Sequence, residues 1–152
     1  MGEKKYLVGL SKIEGLGPVF ISKLLKKFKN AEEIWKADIE DLKKVNGIGS
    51  KRAKKIISTR KKLNIDLEMK KLRKRNIKII TLEDKSYPKQ LKNIYDPPPV
   101  LYYKGSGKFS GTFVAIVGAR RATLYGREVA MNLSSKLAAR GITIVSGMAR
   151  GI

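Results

Sequence analysis

Apolar positions in the first sixty residues recur every three or four residues, the spacing of amphipathic helices. The first such stripe lies over residues 6–10. Pro18 suits the first turn of a second helix, because a proline there gives up no intrahelical hydrogen bond. Asn30 and Asp38 are typical N-cap residues and predict two further short helices. We therefore expect the chain to begin with a bundle of short helices.

A glycine-containing turn follows these helices and resembles a helix-hairpin-helix motif. Residues 45–56 read Val-Asn-Gly-Ile-Gly-Ser-Lys-Arg-Ala-Lys-Lys-Ile. Two glycines, Gly47 and Gly49, allow a tight turn and expose backbone N–H groups at the next helix N-terminus, where a phosphate can bind. Lys51 and Arg52 follow at once and add positive charge. These four residues are candidate phosphate contacts.

A second copy of the turn lies thirty-two residues upstream, over residues 13–21. It keeps the Gly-x-Gly turn but has Ile21 where the later copy has the small residue Ala53. Glu14 stands beside the turn and few cations flank it. Both copies could instead be structural hairpins that bind nothing, and this alternative is stronger for the first copy. Two such units commonly pair into one compact helical domain.

The pattern changes to that of β-strands near residue 76. Residues 77–81 and 100–104 are rich in β-branched and aromatic side chains. We accordingly predict a helical domain with two hairpins over residues 1–68 and a second domain over residues 69–152.

A strand–helix–strand unit is predicted near the C-terminal end of the chain. Residues 114–117 form an apolar run that ends at a glycine and predicts a buried strand. Helical periodicity follows over 127–140, and residues 142–146 predict the second strand. The predicted fold class is α/β, or α+β overall: a helix-hairpin-helix domain followed by an incomplete Rossmann-like βαβ half.

Positive charge dominates the composition. The chain has 34 Lys and Arg against 13 Asp and Glu, a net charge of +21. The excess is spread along the chain, at +8 over residues 1–60, +7 over 61–95 and +6 over 96–152. Such a surface favours polyanions, either nucleic acid or an acidic membrane surface, although a lysine-rich composition can also reflect adaptation to high temperature.

Several function classes are disfavoured by missing residue types. The chain has no Cys and no His, so it offers neither thiolates nor imidazoles as ligands or catalysts. We expect no metal, no cofactor and no catalytic residue. Neither a membrane-spanning run nor the apolar core of a signal peptide is present, so we expect a cytoplasmic protein with no membrane partner.

The turn after the first strand of the predicted βαβ unit carries Gly118 and Arg120. Backbone N–H groups at such a turn can bind an anion. A dinucleotide fingerprint would need glycine at position 120 as well as at 118. Arginine there favours a phosphate held partly by a cation.

Five short motifs follow one another over residues 87–152: Tyr-Pro-x-x-Leu at 87–91, Asp-Pro-Pro-Pro-Val-Leu at 96–101, Val-Ala-Ile-Val-Gly-Ala-Arg at 114–120, Tyr-Gly at 125–126 and Ser-Gly-x-Ala-x-Gly-Ile at 146–152. In their order and spacing they resemble the DprA (Smf) family of DNA-processing proteins. Each motif is weak alone, but five in register are highly specific. The chain ends inside the last of them, so we expect it to be the N-terminal portion of such a protein, truncated within the Rossmann-like domain.

The resemblance implies single-stranded DNA binding in DNA processing, natural transformation and recombination, RecA loading, and no established catalytic activity. It also implies a homodimer for the full-length family, and double-stranded DNA stays open as a further ligand. The residues that it carries over as phosphate contacts are Gly118, Arg120, Ser146, Gly147 and Gly151, with Arg121 and Arg127 as electrostatic helpers.

Two alternatives stay open at this point. A Rossmann-like nucleotide-binding or nucleotide-processing enzyme could hold one phosphate in the same turn. Its weakness is the shortage of acidic residues, because Glu128 alone follows Asp96. A structural or partner-binding fragment would bind neither DNA nor nucleotide.

Overall fold

The computed structural model describes residues 2–107 and 109–152. The described residues divide into two compact units: unit 1 contains residues 2–107, and unit 2 begins at Phe109. The α+β fold class expected from the sequence is confirmed. The helices are α1 Gly2–Ser11, α2 Pro18–Lys27, α3 Ala31–Lys36, α4 Ile39–Lys43, α5 Ser50–Lys62, α6 Ile65–Lys74, α7 Lys89–Lys92 and α8 Leu124–Ala138, and the strands are β1 Lys78–Thr81, β2 Val100–Tyr103, β3 Phe113–Ala115 and β4 Thr143–Val145.

The core of unit 1 is built from the two hairpin repeats. Positions thirty-two residues apart are buried as pairs, so the two copies contribute equivalent side chains to one core. Ile21 and Ala53 form one of these pairs, at 1% and 0% exposure. The bulkier Ile21 therefore does not exclude the first copy from the hairpin fold. The other pairs are Leu10 with Leu42, Ile13 with Val45, Leu16 with Ile48, and Leu24 with Ile56.

Side-chain caps begin the short helices as the sequence predicts. Asn30 Oδ1 accepts the Glu33 N–H at 2.8 Å, and Asp38 Oδ1 accepts the Asp41 N–H at 2.8 Å. Each cap satisfies a backbone donor that the first helical turn leaves free, a contribution of about 1 kcal/mol per helix.

Strands β1 and β2 pair antiparallel and pack on the helices of unit 1. Val100 lies in the helical core, and the Ser11 and Tyr102 hydroxyls share a hydrogen bond of 2.9 Å. The domain boundary between residues 68 and 69 stays a prediction. These two strands follow that boundary in the chain, yet they are part of unit 1.

Unit 2 is the predicted βαβ unit. Strands β3 and β4 are parallel, with Val114 opposite Ile144, and α8 connects them. Thr123 Oγ1 accepts the Gly126 N–H at 3.1 Å and caps α8, which begins at Leu124, three residues before the predicted start at residue 127. Gly141 ends the turn after α8 with φ of 76°, a conformation that glycine adopts without strain.

The predicted burial of the strand over residues 114–117 is wrong, because Val114 and Ile116 are half-buried and Ala115 and Val117 are exposed. Val117 is 81% exposed, because β3 ends at Ala115 and the chain turns away from the ladder after the Ile116 N–H donates to the Val145 carbonyl.

Candidate nucleic-acid interface

The two hairpin turns of unit 1 have the same backbone geometry. Gly15 and Gly47 have φ of 78° and 87°, values that a side chain would strain. Gly17 and Gly49 follow in extended conformation and are the N-caps of α2 and α5. Both turns therefore direct a helix N-terminus outward.

Arg52 joins the two turns. Its Nη1 donates to the Gly47 carbonyl at 3.0 Å, and its Nε donates to the Gly15 carbonyl at 3.4 Å. The guanidinium also lies over the Phe20 ring, with Cζ 3.9 Å from the ring centroid. A carbonyl from each hairpin and an aromatic face thus hold one side chain, so Arg52 has a structural role that the sequence analysis missed.

The charges around the two turns are unequal. Lys55 pairs with Glu14 beside the first turn at 2.9 Å. The position equivalent to Glu14 in the second turn is Asn46, which carries no charge. The lysine equivalent to Lys55 is Lys23, which makes no ion pair within residues 2–107 and 109–152. Positive charge is thus balanced at the first turn and unbalanced at the second.

The ion pair at the first turn favours the charged form of Glu14. The hydrogen bond from Lys55 and the charge of its ammonium group lower the pKa of the Glu14 carboxyl from its usual range. Glu14 therefore keeps its negative charge at neutral pH, where it repels a phosphate. This contact favours the structural role that the sequence left open for the first hairpin.

The second turn leaves space for a ligand. No heavy atom beyond its chain neighbours lies within 4 Å of the place where a Gly49 Cβ would stand. Lys51 is exposed, and among the described residues its side chain makes no hydrogen bond or ion pair. In the first hairpin the equivalent helix begins with Pro18, which has no N–H, and continues with the apolar Val19. Only the second hairpin combines open backbone with a free cation.

The structure brings the four hairpin candidates Gly47, Gly49, Lys51 and Arg52 to one end of the tandem. Gly47 is tightly enclosed, since a Cβ there would stand 3.1 Å from Phe20 Cε1. Gly49 and Lys51 face open space. Phosphate binding by all four stays a prediction.

In unit 2, the turns after β3 and β4 meet. The Ile152 N–H donates to the Ala119 carbonyl at 3.4 Å, and a Cβ on Gly118 would stand 2.6 Å from Ile152 Cγ1. Gly151 has φ of 112° and lies so close to the Ala119 carbonyl that any side chain would collide with it. The candidate glycines 118 and 151 thus allow the two turns to touch.

The remaining candidates of unit 2 lie at the surface. Arg120, Arg121 and Arg127 are exposed, and their side chains make no ion pair within the described part of the chain. The Ser146 hydroxyl accepts the Met148 N–H at 3.3 Å, which leaves its own proton available to a ligand. Gly147 has open space where a Cβ would stand. Contact of these residues with a phosphate stays a prediction.

The described residues contain no cluster of three or more acidic side chains that could hold a metal ion. Among them, no helix has both the length and the apolar character needed to cross a membrane.

Comparison with known families matches nearly the whole described chain. Residues 8–62 match the family described as a SAM-like helix-hairpin-helix tandem. Residues 78–152 match the family described as DNA recombination-mediator protein A. The first match covers both hairpin turns, and the second covers both strand-end turns of unit 2.

Three relatives show the same likeness. The protein Smf of Synechocystis sp. is 38% identical over 99% of this chain and 39% of its own length. The DNA processing protein DprA of Bacillus subtilis is 43% identical over 53% of this chain and 28% of its own length. The protein Smf of Borreliella burgdorferi is 40% identical over 57% of this chain and 28% of its own length. The chain thus spans two fifths or less of these curated relatives.

Proposed function

This chain belongs to the DprA/Smf family of DNA-processing proteins, and from that premise we propose that it binds DNA through the phosphate backbone. The second hairpin turn of unit 1 and the joined strand-end turns of unit 2 are the proposed contacts. Single-stranded DNA is the proposed ligand. The protein acts as a binding protein rather than as an enzyme.

The observation that carries the proposal is the charge asymmetry of the hairpin tandem. Lys51 and Lys23 flank the second turn without a carboxylate partner among the described residues, whereas Lys55 is neutralised by Glu14 at the first. Unpaired cations beside exposed helix N–H groups are suited to phosphate. Contacts of this kind do not depend on base identity, so binding is independent of sequence.

Unit 2 supports the proposal independently. Arg120 and Arg121 belong to one of the two small-residue turns that touch, Arg127 lies in the first part of α8, and all three are exposed, while Gly147 leaves the backbone of the other turn accessible. Arginine binds a phosphate through two parallel N–H donors, so Arg120 provides both charge and geometry.

The finer functions of the whole protein are also proposals. We propose that the full-length protein acts in natural transformation and recombination, helps to load RecA onto single strands and forms a homodimer in the cytoplasm. These rest on the family resemblance, because the present chain covers the smaller part of its relatives.

A titration with a fluorescently labelled oligothymidylate tests DNA binding. The logarithm of the association constant should fall linearly with the logarithm of salt concentration, by about 0.7 for each phosphate contact. Arg120→Ala should weaken binding more than Lys74→Ala, a matched loss of one exposed cation at the end of α6. Absence of binding at low salt would refute the proposal, and equal losses in the two variants would attribute binding to bulk charge.

A further inference from the structure

Tyr95 is the most exposed large hydrophobic side chain that the structure describes, at 97%. It precedes Asp96-Pro97-Pro98-Pro99 in the segment between α7 and β2. The three prolines restrict the backbone that follows the ring, so this part of the segment has little conformational freedom to lose on binding. An exposed aromatic ring is a suitable platform for a planar ligand.

The ring stands at the edge of a groove within unit 1. One wall is the face of α2 that carries Val19, Ser22, Lys23 and Lys26, which recur at helical spacing. The opposite wall is formed by Tyr95 and the residues that follow it. The apolar Leu25 and Leu82 also line the groove, together with the two cations of α2 and the aromatic ring.

This groove is continuous with the second hairpin turn. Lys23 lines the groove, and its Nζ lies 3.5 Å from the place where a Gly47 Cβ would stand. The same ammonium group is 5.8 Å from the centroid of the Phe20 ring. One lysine thus belongs both to the proposed phosphate contact at the hairpin and to the groove beside it.

The arrangement of charge orients an elongated anion in the groove. Lys23 and Lys26 lie on the α2 wall, whereas Asp96 is acidic and lies beside Tyr95 on the other. A phosphate backbone would follow the lysines and avoid Asp96. The uncharged bases of the same strand would then point towards the aromatic ring.

We propose that this groove guides one single strand of DNA away from the second hairpin turn and that a base of the strand stacks on Tyr95. The inference rests on the proposed function and deepens it, because it explains how a sequence-independent site distinguishes a single strand from a duplex. A stacking platform accepts any base, since every base has a π-face. The paired bases of a duplex are already stacked on each other and are not available to the ring.

The test compares Tyr95→Ala with Tyr95→Phe in the 152-residue chain. With an oligothymidylate of about twenty nucleotides, Tyr95→Ala should bind about tenfold more weakly than the unchanged protein, whereas Tyr95→Phe should bind within about twofold of it. Affinity for a blunt duplex of the same length should be unchanged in both variants. Because Tyr95 is exposed, its replacement should not unfold the protein, so unfolding should not explain weaker DNA binding by Tyr95→Ala. A thermal melt of each variant checks this.

An abasic oligonucleotide separates stacking from charge, since it keeps the phosphates and lacks the bases. The difference between the unchanged protein and Tyr95→Ala should vanish on this substrate. If the protein binds oligothymidylate and Tyr95→Ala binds equally well, the groove inference is overturned while the proposed function stands, and the groove would then belong to a protein partner. If the unchanged protein binds no DNA, the proposed function fails and the groove inference with it.

Discussion

Phe20 and Arg52 occupy equivalent positions of the two hairpin repeats, and their side chains stack with the guanidinium carbon 3.9 Å from the ring centroid. One repeat therefore has an aromatic residue and the other a cation at the equivalent position, and the two side chains meet where the repeats face each other. A cation over an aromatic face, with a carbonyl from each turn as hydrogen-bond acceptor, sets the spacing of the two helix N-termini.

Arg52→Ala should lower the free energy of unfolding by about 1–2 kcal/mol, because it removes two hydrogen bonds from a charged donor and the cation–π contact. DNA affinity should fall as well, since the second turn loses its support. Arg52→Lys should recover little, because an ammonium group cannot reach both carbonyls with a planar fork. Urea unfolding together with oligonucleotide titration measures both effects.

Lys51→Ala is the matched comparison at the neighbouring position. Its side chain has no partner among the described residues, so stability should change by less than about 0.5 kcal/mol. For single-strand binding, the slope of the logarithm of the association constant against the logarithm of salt concentration should become smaller in magnitude by about 0.7, because one phosphate contact is lost. A Lys51 variant that unfolds as readily as Arg52→Ala would contradict this division of roles.

Gly49→Ala should weaken DNA binding while the fold stays intact. Its φ of −75° is accessible to alanine, and no neighbouring atom obstructs the added methyl group, which would instead occupy the space left for a phosphate. Gly47→Ala is the contrasting variant, because its φ of 87° and the Phe20 ring at 3.1 Å oppose any side chain. We expect that variant to lose about 1–2 kcal/mol of stability. Thermal melts and titrations of both variants check the contrast.

In unit 2, Gly147→Ala should weaken DNA binding without disturbing the structure, whereas Gly151→Ala should disturb the contact between the two turns. A methyl group at position 147 meets no atom within 4 Å, so it should reduce binding without disturbing the turn. At position 151 it would collide with the Ala119 carbonyl and adopt φ of 112°. Amide hydrogen exchange should then increase at Ile152, whose N–H bonds that carbonyl. Unchanged exchange in Gly151→Ala would contradict the proposed contact between the turns.

Asp84 should give unit 1 a pH-dependent stability. Burial alone would raise the pKa of its carboxyl, but hydrogen bonds from Lys4 and from the Thr81 backbone and hydroxyl hold that pKa below its ordinary value of 3.8. A lowered pKa means that the stabilisation is present above the unfolded value and is lost as pH falls through the folded one. At neutral pH, Asp84→Asn should cost about 1–2 kcal/mol of unfolding free energy.

The difference in unfolding free energy between the unchanged protein and Asp84→Asn should become smaller below about pH 4, because the protonated carboxyl loses the same contacts. Urea titrations between neutral pH and pH 3 would follow it. Asp66→Asn is the control, since the Lys5–Asp66 pair lies at the surface with the carboxylate 73% exposed, and its loss should change the unfolding free energy less than the loss of the Asp84 contacts. A constant Asp84→Asn difference across the pH range would contradict the assignment.

Local signals in the sequence predicted much of this fold. The Asn30 and Asp38 caps and Pro18 at the first turn of α2 depend on a few neighbouring residues, and each lies where the pattern indicated. The repeat at thirty-two residues also predicted a pair of hairpins.

Contacts that depend on tertiary arrangement were less accessible to sequence. Arg52 stacks on Phe20 only once the two repeats face each other. The two residues occupy equivalent positions of the repeats, and this equivalence could have indicated the contact. The exposure of Tyr95 could not be predicted, because a single aromatic residue before a run of prolines can be either buried or exposed. Val117 was expected to be buried, because apolar character alone does not show where a strand leaves its ladder.

The contacts of α1 limit how the hairpin tandem can be exchanged between proteins. Lys4 pairs with Asp84 at 2.7 Å, Ser11 bonds Tyr102, and Val100 completes the core that the hairpins enclose. A transplant that stopped after α6 would leave this side of the core open to water. A transfer of the hairpin tandem into another protein should therefore include strands β1 and β2, so that the core stays closed.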